Sequence, residues 1–352
     1  MKKIHIILIL SSAPLVASCA AAATPESAQR THTVHPGESI QKAVDSAKAG
    51  DTVLLLTGTY HESVQVTTPG LTLRGTGNAT VLKPAAKAAD DCGKRGNGIC
   101  VAGTTSKPLK GVTVSDLKVT GFSRAGVISA GADGLTVRRV TAEKNGVWGL
   151  AEERSKHSTY RQNTVRNNGD AGIFLANTIT AEQGATNTEN TLVSGNHLQG
   201  NRIGVTVRRL RGLTVTDNDI TGNCAGVFVV GDENKPKAGA LTVRGNRVLQ
   251  NNKYCAKTQR LPFLQGSGIV LTGVEKTAVT GNAVTGNSGA SPLSGGIVLL
   301  KSFVGATTDN NQVRDNSLRE NSPADVVNQE STTRGNTFDH NLCRASKPAG
   351  LC

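Results

Sequence analysis

Short apolar-alternating runs recur along the chain from Gly70 to Cys343, and they fall into two kinds. Opening runs include Gly70-Leu-Thr-Leu, Gly111-Val-Thr-Val, Gly134-Leu-Thr-Val, Gly212-Leu-Thr-Val and Ala240-Leu-Thr-Val. Closing runs include Gly98-Ile-Cys-Val, Gly126-Val-Ile-Ser, Gly149-Leu-Ala-Glu, Gly172-Ile-Phe-Leu, Gly204-Val-Thr-Val, Gly226-Val-Phe-Val, Gly268-Ile-Val-Leu and Gly296-Ile-Val-Leu. The alternation predicts short strands. A strand of this length cannot bury its apolar side alone, whereas stacking on the same strand of the next repeat can. The pattern therefore predicts a solenoid of parallel strands rising about 4.8 Å per coil. Ile173, Leu175, Val205, Val207, Val227, Val229, Ile269, Leu271, Ile297 and Leu299 would form its continuous core. The glycine ahead of each run is expected at a tight corner.

Between the two runs stand paired asparagines: Asn196/Asn201, Asn218/Asn223, Asn246/Asn251, Asn282/Asn287, Asn316/Asn321 and Asn336/Asn341. At coil corners asparagine tolerates left-handed backbone, and its amide can bond the coils above and below. Upstream, Ile40, Ala43, Val44 and Ala47 lie at helical spacing, with Ser39 placed to cap the helix and Gly50 to end it. Such a helix would close the open end of a solenoid.

The repeats, together with the segment from His35 to Tyr60, resemble the right-handed parallel β-helix proteins of the pectate-lyase-like superfamily. More narrowly, they are similar to bacterial exported proteins built of parallel β-helix repeats. The resemblance covers residues 33–343. It implies an all-β fold, a single-stranded right-handed parallel β-helix with an N-terminal amphipathic capping helix.

The first residues read as a secretion signal, with Met1-Lys-Lys, an apolar stretch from Ile4 to Leu10, and then Val16-Ala-Ser-Cys19. The apolar stretch is too short for a permanent span. Val16-Ala-Ser-Cys19 resembles a bacterial lipobox, with Cys19 as the lipidated residue; cleavage after Ala23, giving a freely secreted protein, is the alternative. The expected divisions are a signal at 1–18, a flexible tether at 19–32, the β-helix at 33–343 and a disulfide-closed tail at 344–352. Seven cysteines are an odd number, and setting Cys19 aside leaves local pairs. The expected bridges are Cys92–Cys100, Cys224–Cys255 and Cys343–Cys352, and an exported chain keeps them oxidised. Cys224 and Cys255 would sit at one corner of successive coils. The alternative, a zinc site, lacks Cys-x-x-Cys and a histidine cluster.

The net charge of +13 suits an acidic polysaccharide or another anionic cell-envelope polymer, or else only keeps the surface soluble. Aromatic residues make up only 3%, which argues against a neutral-sugar platform and, without aromatic–basic interleaving, against nucleic acid. The membrane would be met through the lipid anchor alone, at the extracellular cell surface, and the chain is expected to be a monomer.

Counting outward positions along the closing runs brings Glu153, Arg154, Asn177, Arg208 and Arg209 into one stripe, with Glu152, His157 and Arg211 nearby and Lys301 further along. Outward Phe228, Val230, Val270, Val298 and Leu300 form an apolar patch that the Leu261-Pro-Phe-Leu264 insert should cover. The resemblance implies uronate chemistry: a cation or Ca²⁺ neutralises the carboxylate, and a base removes the neighbouring proton. On that reading Arg208 and Arg209 clamp, His157 or Arg154 supplies the base, and Glu153 orients it. Asn177, Phe174, Arg211 and Lys301 would contact substrate. The family's Gly-His-Gly, Arg-Ile-Lys and Asp-Pro-His-Asp motifs are absent. No cofactor is evident, and calcium, though compatible with the family, has no clear site. Glu152 stands where other coils carry an inward Leu or Val, so either Arg154 or His157 bends in to meet it or the strand shifts there. Trp148 reads as a corner packer. Two function classes remain: an enzyme acting on acidic polysaccharide, and a non-catalytic binding or accessory β-helix.

Overall fold

The structure, a computed structural model, describes Met1 and residues 29–352. The signal, Cys19 and most of the tether lie outside the described residues. Each coil contributes one strand to each of three parallel sheets. In the coil at residues 136–153 these are Thr136–Arg138 in the first sheet, Thr141–Glu143 in the second and Trp148–Glu153 in the third. The residues between the paired asparagines are therefore themselves strands, which the alternation of the opening and closing runs did not reveal. The first strand, Thr31–Val34, pairs with Thr52–Leu55, so regular structure starts two residues ahead of the expected boundary at 33.

The helix expected from the Ile40 pattern spans Ile40–Ser46. The Ser39 hydroxyl accepts from the Lys42 amide, and Ile40 and Val44 are buried in the solenoid core. Every apolar residue assigned to the interior, from Ile173 to Leu299, belongs to that core. All three expected disulfides are present.

Two expectations about the corners need correction. Apart from Gly98, which precedes its strand, the glycines of the closing runs lie inside strands such as Ala171–Ala176 and Ile203–Arg208, and not at turns ahead of them. The reason is space. A Cβ on Gly172 would come within 2.8 Å of the Gly204 carbonyl and 2.9 Å of the Asn201 amide in the next coil. The left-handed residues are likewise not the ladder asparagines but those just before them, such as Gln162, Asn167 and Asp217, or glycine at Gly195, Gly200 and Gly222.

The asparagines themselves form buried ladders. Asn201 Nδ2 and its backbone amide both donate to Asn223 Oδ1, and Asn223 repeats the pattern onto Asn251. Each side chain also donates to a carbonyl of the coil behind it, as Asn223 does to Leu198. Satisfied amides of this kind fix the register between coils, because a slip would strand buried polar groups.

Candidate functional site

The third sheet turns its outward residues toward a second apolar cluster outside the barrel. Phe174, Ala176, Phe228, Val270, Val298 and Leu300 are all buried. Leu264, fully buried, comes down from the insert after Asn251, as the sequence pattern anticipates. The Cys224–Cys255 bridge and Arg202, which donates to the Ala256 carbonyl at 2.7 Å, hold this insert in place. The cover extends further toward the middle coils than expected. Phe174 stacks on Trp148 with ring centroids 4.8 Å apart and is not presented to solvent.

The polar stripe is also covered, by the chain's own segment 178–184. Glu153 Oε1 accepts from the Ile179 amide at 3.2 Å, and Arg208 donates to the Ile179 carbonyl at 3.4 Å. Arg209, 3% exposed, pairs with Asp232 at 3.1 Å and donates to the Ala181 carbonyl at 2.7 Å. Asn177, wholly buried, donates to the Gln183 and Gly184 carbonyls. The structure thus gathers Glu153, Asn177, Arg208 and Arg209 at one place, where they hold a strap. Arg208 is half-buried, and burial, with Arg209 and Arg260 nearby, pushes its guanidinium pKa down to about 10.

The remaining candidates are dispersed. Arg154 is 51% exposed, bonded to Glu153 at 3.3 Å, and lines a shallow cleft of about 510 Å³ with Gly103, Thr104, Thr105, Ser106 and Gly131. His157 is fixed at both ring nitrogens, by Asp133 at 2.7 Å and Glu189 at 3.2 Å. Arg211 pairs with Glu275 at 2.9 Å. Lys301 is exposed on a loop, where its backbone amide donates to Gln329. A further cleft of about 440 Å³ lies at the start of the Ile40–Ser46 helix. The Glu62 carboxylate lining it already accepts from Ser39, Ile40 and Gln41. Among the described residues no group of three His, Cys, Asp or Glu is placed to hold a metal ion. Among them, too, no helix is long and apolar enough to cross a membrane.

Glu152 has neither of its anticipated explanations. The strand keeps register, with Glu152 opposite Ser129 and Leu175, and neither Arg154 nor His157 turns in. Its partner is Tyr160, whose hydroxyl donates to Oε2 at 3.0 Å inside the barrel. Oε1 is buried without a partner. Burial pushes the Glu152 pKa up to about 7. Tyr160 sits in a first-sheet strand, where its inward alternation is legible but its partner across the core is not. Arg202 is equally hidden from periodicity, because what it holds is an insert.

The family model described as "Right handed beta helix region" matches residues 64–182 and 183–312. No curated protein sequence matches the chain. Among solved structures, the alginate lyase from Paenibacillus sp. str. FPU-7 aligns with a TM-score of 0.58 at 17% identity, over 84% of this chain and 96% of that one. The AlgE4 A-module, a mannuronan C-5 epimerase of Azotobacter vinelandii, aligns at 0.55 and 16%, over 89% and 95%. ORF18 of Geobacillus virus E2 aligns at 0.61 and 16%, over 88% of this chain and 60% of that one. At these identities the likeness is one of fold.

Proposed function

Because the chain belongs to the right-handed β-helix family, we propose that it is an exported protein that binds acidic, uronate-type polysaccharide along the outside of its solenoid. The observation that carries this reading is the strap at 178–184. Its backbone takes up hydrogen bonds of Glu153, Arg208 and Arg209. His157 is paired at both ring nitrogens, which disfavours it as a free base beside the stripe. What remains is a strongly basic surface, which favours binding a polyanion over breaking one. Alginate is named in the lyase and mannuronan in the epimerase of the same fold, which supports a uronate as the ligand class.

A second reading, a lyase or epimerase, draws on Arg208. A half-buried guanidinium with a depressed pKa suits a carboxylate clamp once the strap is displaced. The two readings separate in one assay. The signal-free protein is incubated with a panel of uronate polymers, and both gel retardation and the absorbance of unsaturated ends are followed. The proposal expects retardation without new absorbance. Absorbance that appears and is lost in Arg208→Ala would establish the enzyme instead.

Export is supported by three disulfides, which persist in an oxidising compartment. Anchoring through a lipid on Cys19 completes the proposal and places the protein at the cell surface. It predicts that membrane-fraction protein carries an acyl mass which Cys19→Ser abolishes; a soluble, unmodified wild type would refute the anchor.

A further inference from the structure

The first sheet offers a second outward face, built from different columns. Its strands run in register through Thr72–Arg74, Thr113–Ser115, Thr136–Arg138 and Thr159–Arg161. The middle residue of each points into the core: Leu73, Val114, Val137 and Tyr160 are all buried. The flanking residues lie on the outer side of the strands, although Ser115 among them is fully buried. One column is therefore threonine in every coil, at positions 72, 113, 136 and 159, and the other reads Arg74, Ser115, Arg138, Arg161. Among the described residues no apolar insert roofs these strands as on the third sheet; Arg74 and Arg161 are exposed, Arg138 and the threonines are partly so, and Ser115 is buried.

The charges on this face are arranged unlike those elsewhere. Arg138 and Arg161 are direct strand partners. Like charges in that relation repel. Elsewhere registered neighbours include complementary pairs, as in Glu143 with Arg166, Asp219 with Arg247, and Arg314 with Asp339, and the like-charged pair Glu275 and Asp309 has Arg211 and Lys237 as partners. The nearby carboxylates are already committed. Asp116 forms a two-pronged pair with Arg139 at 2.6 and 2.9 Å, and Glu143 takes both Lys118 and Arg166. Among the described residues no carboxylate lies within 4.0 Å of Arg74, Arg138 or Arg161. Burial and then Arg139 depress the Arg138 pKa; Asp116 opposes them, and Arg161 and Arg74 add smaller depressions. A face that served solubility alone would intersperse the two signs.

We infer that this arginine–threonine face is the binding surface for a linear carboxylated polysaccharide lying parallel to the solenoid axis. The argument is one of spacing and chemistry. Neighbouring strands place side chains about 4.8 Å apart along the axis, the scale of a sugar ring. Arg138 and Arg161 are thus one step apart, and Arg74 lies two steps beyond Arg138. Guanidinium forks match carboxylates, and the adjacent hydroxyl column can bond sugar hydroxyls. The face carries no outward aromatic ring on which a base could stack, so a polysaccharide fits better than single-stranded nucleic acid. The inference rests on the polysaccharide reading above for its ligand class, but not on the third sheet.

The test compares three proteins in gels containing polyuronate, with single-stranded DNA as a control ligand: wild type, the triple variant Arg74→Gln/Arg138→Gln/Arg161→Gln, and Arg154→Ala. The inference expects the triple variant to bind polyuronate about tenfold or more weakly, the combined effect of three modest surface charges. Its melting temperature should be unchanged or higher, and Arg154→Ala should bind as wild type does. If the wild type binds but the triple variant binds equally well, or if DNA competes as effectively as the uronate, this inference is overturned while basic-surface binding stands. Failure of the wild type to bind any uronate polymer would overturn the polysaccharide reading together with it.

Discussion

The outer faces of the first and third sheets have the same strand geometry and opposite fates. On the third sheet the outward positions are phenylalanine, valine and leucine, and two inserts fold over them to make a second core. On the first, at residues 72–161, they are threonine, arginine and the buried Ser115, and among the described residues no apolar insert roofs them. A parallel β-helix thus has sides that are interchangeable as scaffold, and side-chain choice at outward positions decides which is roofed and which meets solvent. The face that carries the family-like stripe is here the more closed of the two.

The largest effect that would sharpen this contrast is in the roof. Phe228→Ala should cost about 4 kcal/mol, as for a buried aromatic elsewhere, while Thr136→Ala on the first sheet should stay within about 0.5 kcal/mol. Equal losses in denaturant titrations would mean that the third face is not a second core. Next comes the seam between the second and third sheets. Asn223→Ala removes the acceptor for two Asn201 groups and the donor to Leu198, and should cost about 3 kcal/mol. A change under about 1 kcal/mol would deny the ladder its role in holding register.

The inner side of the third sheet gives a pH-dependent contrast. Glu152 has its folded pKa raised from 4.5 to about 7. Below pH 4.5 its carboxyl is protonated in both the folded and unfolded chain, so no penalty arises. The penalty grows as pH rises from 4.5 to 7 and is complete above that, at roughly 3 kcal/mol. Glu152→Gln should therefore stabilise the protein at pH 8 and change little at pH 4, keeping Tyr160 as a donor. A stability gain independent of pH would show that folding does not raise the Glu152 pKa. The smallest effect belongs to the open face: Arg138→Gln, by relieving repulsion from Arg161, should raise stability by a few tenths of a kcal/mol, a gain that 1 M salt should erase.

The period-two alternation carried the solenoid and its core residues, and cysteine count and spacing carried the three disulfides, because each depends on local spacing. It also located the roofing insert, since an outward apolar column demands a cover. What it could not carry was contact across the coil. Tyr160 meeting Glu152 and Arg202 meeting Ala256 depend on where a distant side chain arrives. The stripe from Glu153 to Arg209 was legible as a column, and those residues do converge. Its strap was not, because residues 178–184 carry no alternation that says they fold back. The opening-run glycines Gly70, Gly111, Gly134 and Gly212 do take the left-handed conformation of a corner, but the closing-run glycines misled for a physical reason: space for an asparagine amide and space for a turn both exclude a Cβ, and sequence alone does not separate them.

Hydroxyl-radical footprinting of the wild-type protein, with and without a polyuronate, tests most directly which face meets the polymer. The account predicts protection at residues 72–74, 136–138 and 159–161, with the strap at 178–184 unchanged. Protection centred on Glu153, Arg154 and Arg208, with increased exposure of the strap, would contradict it.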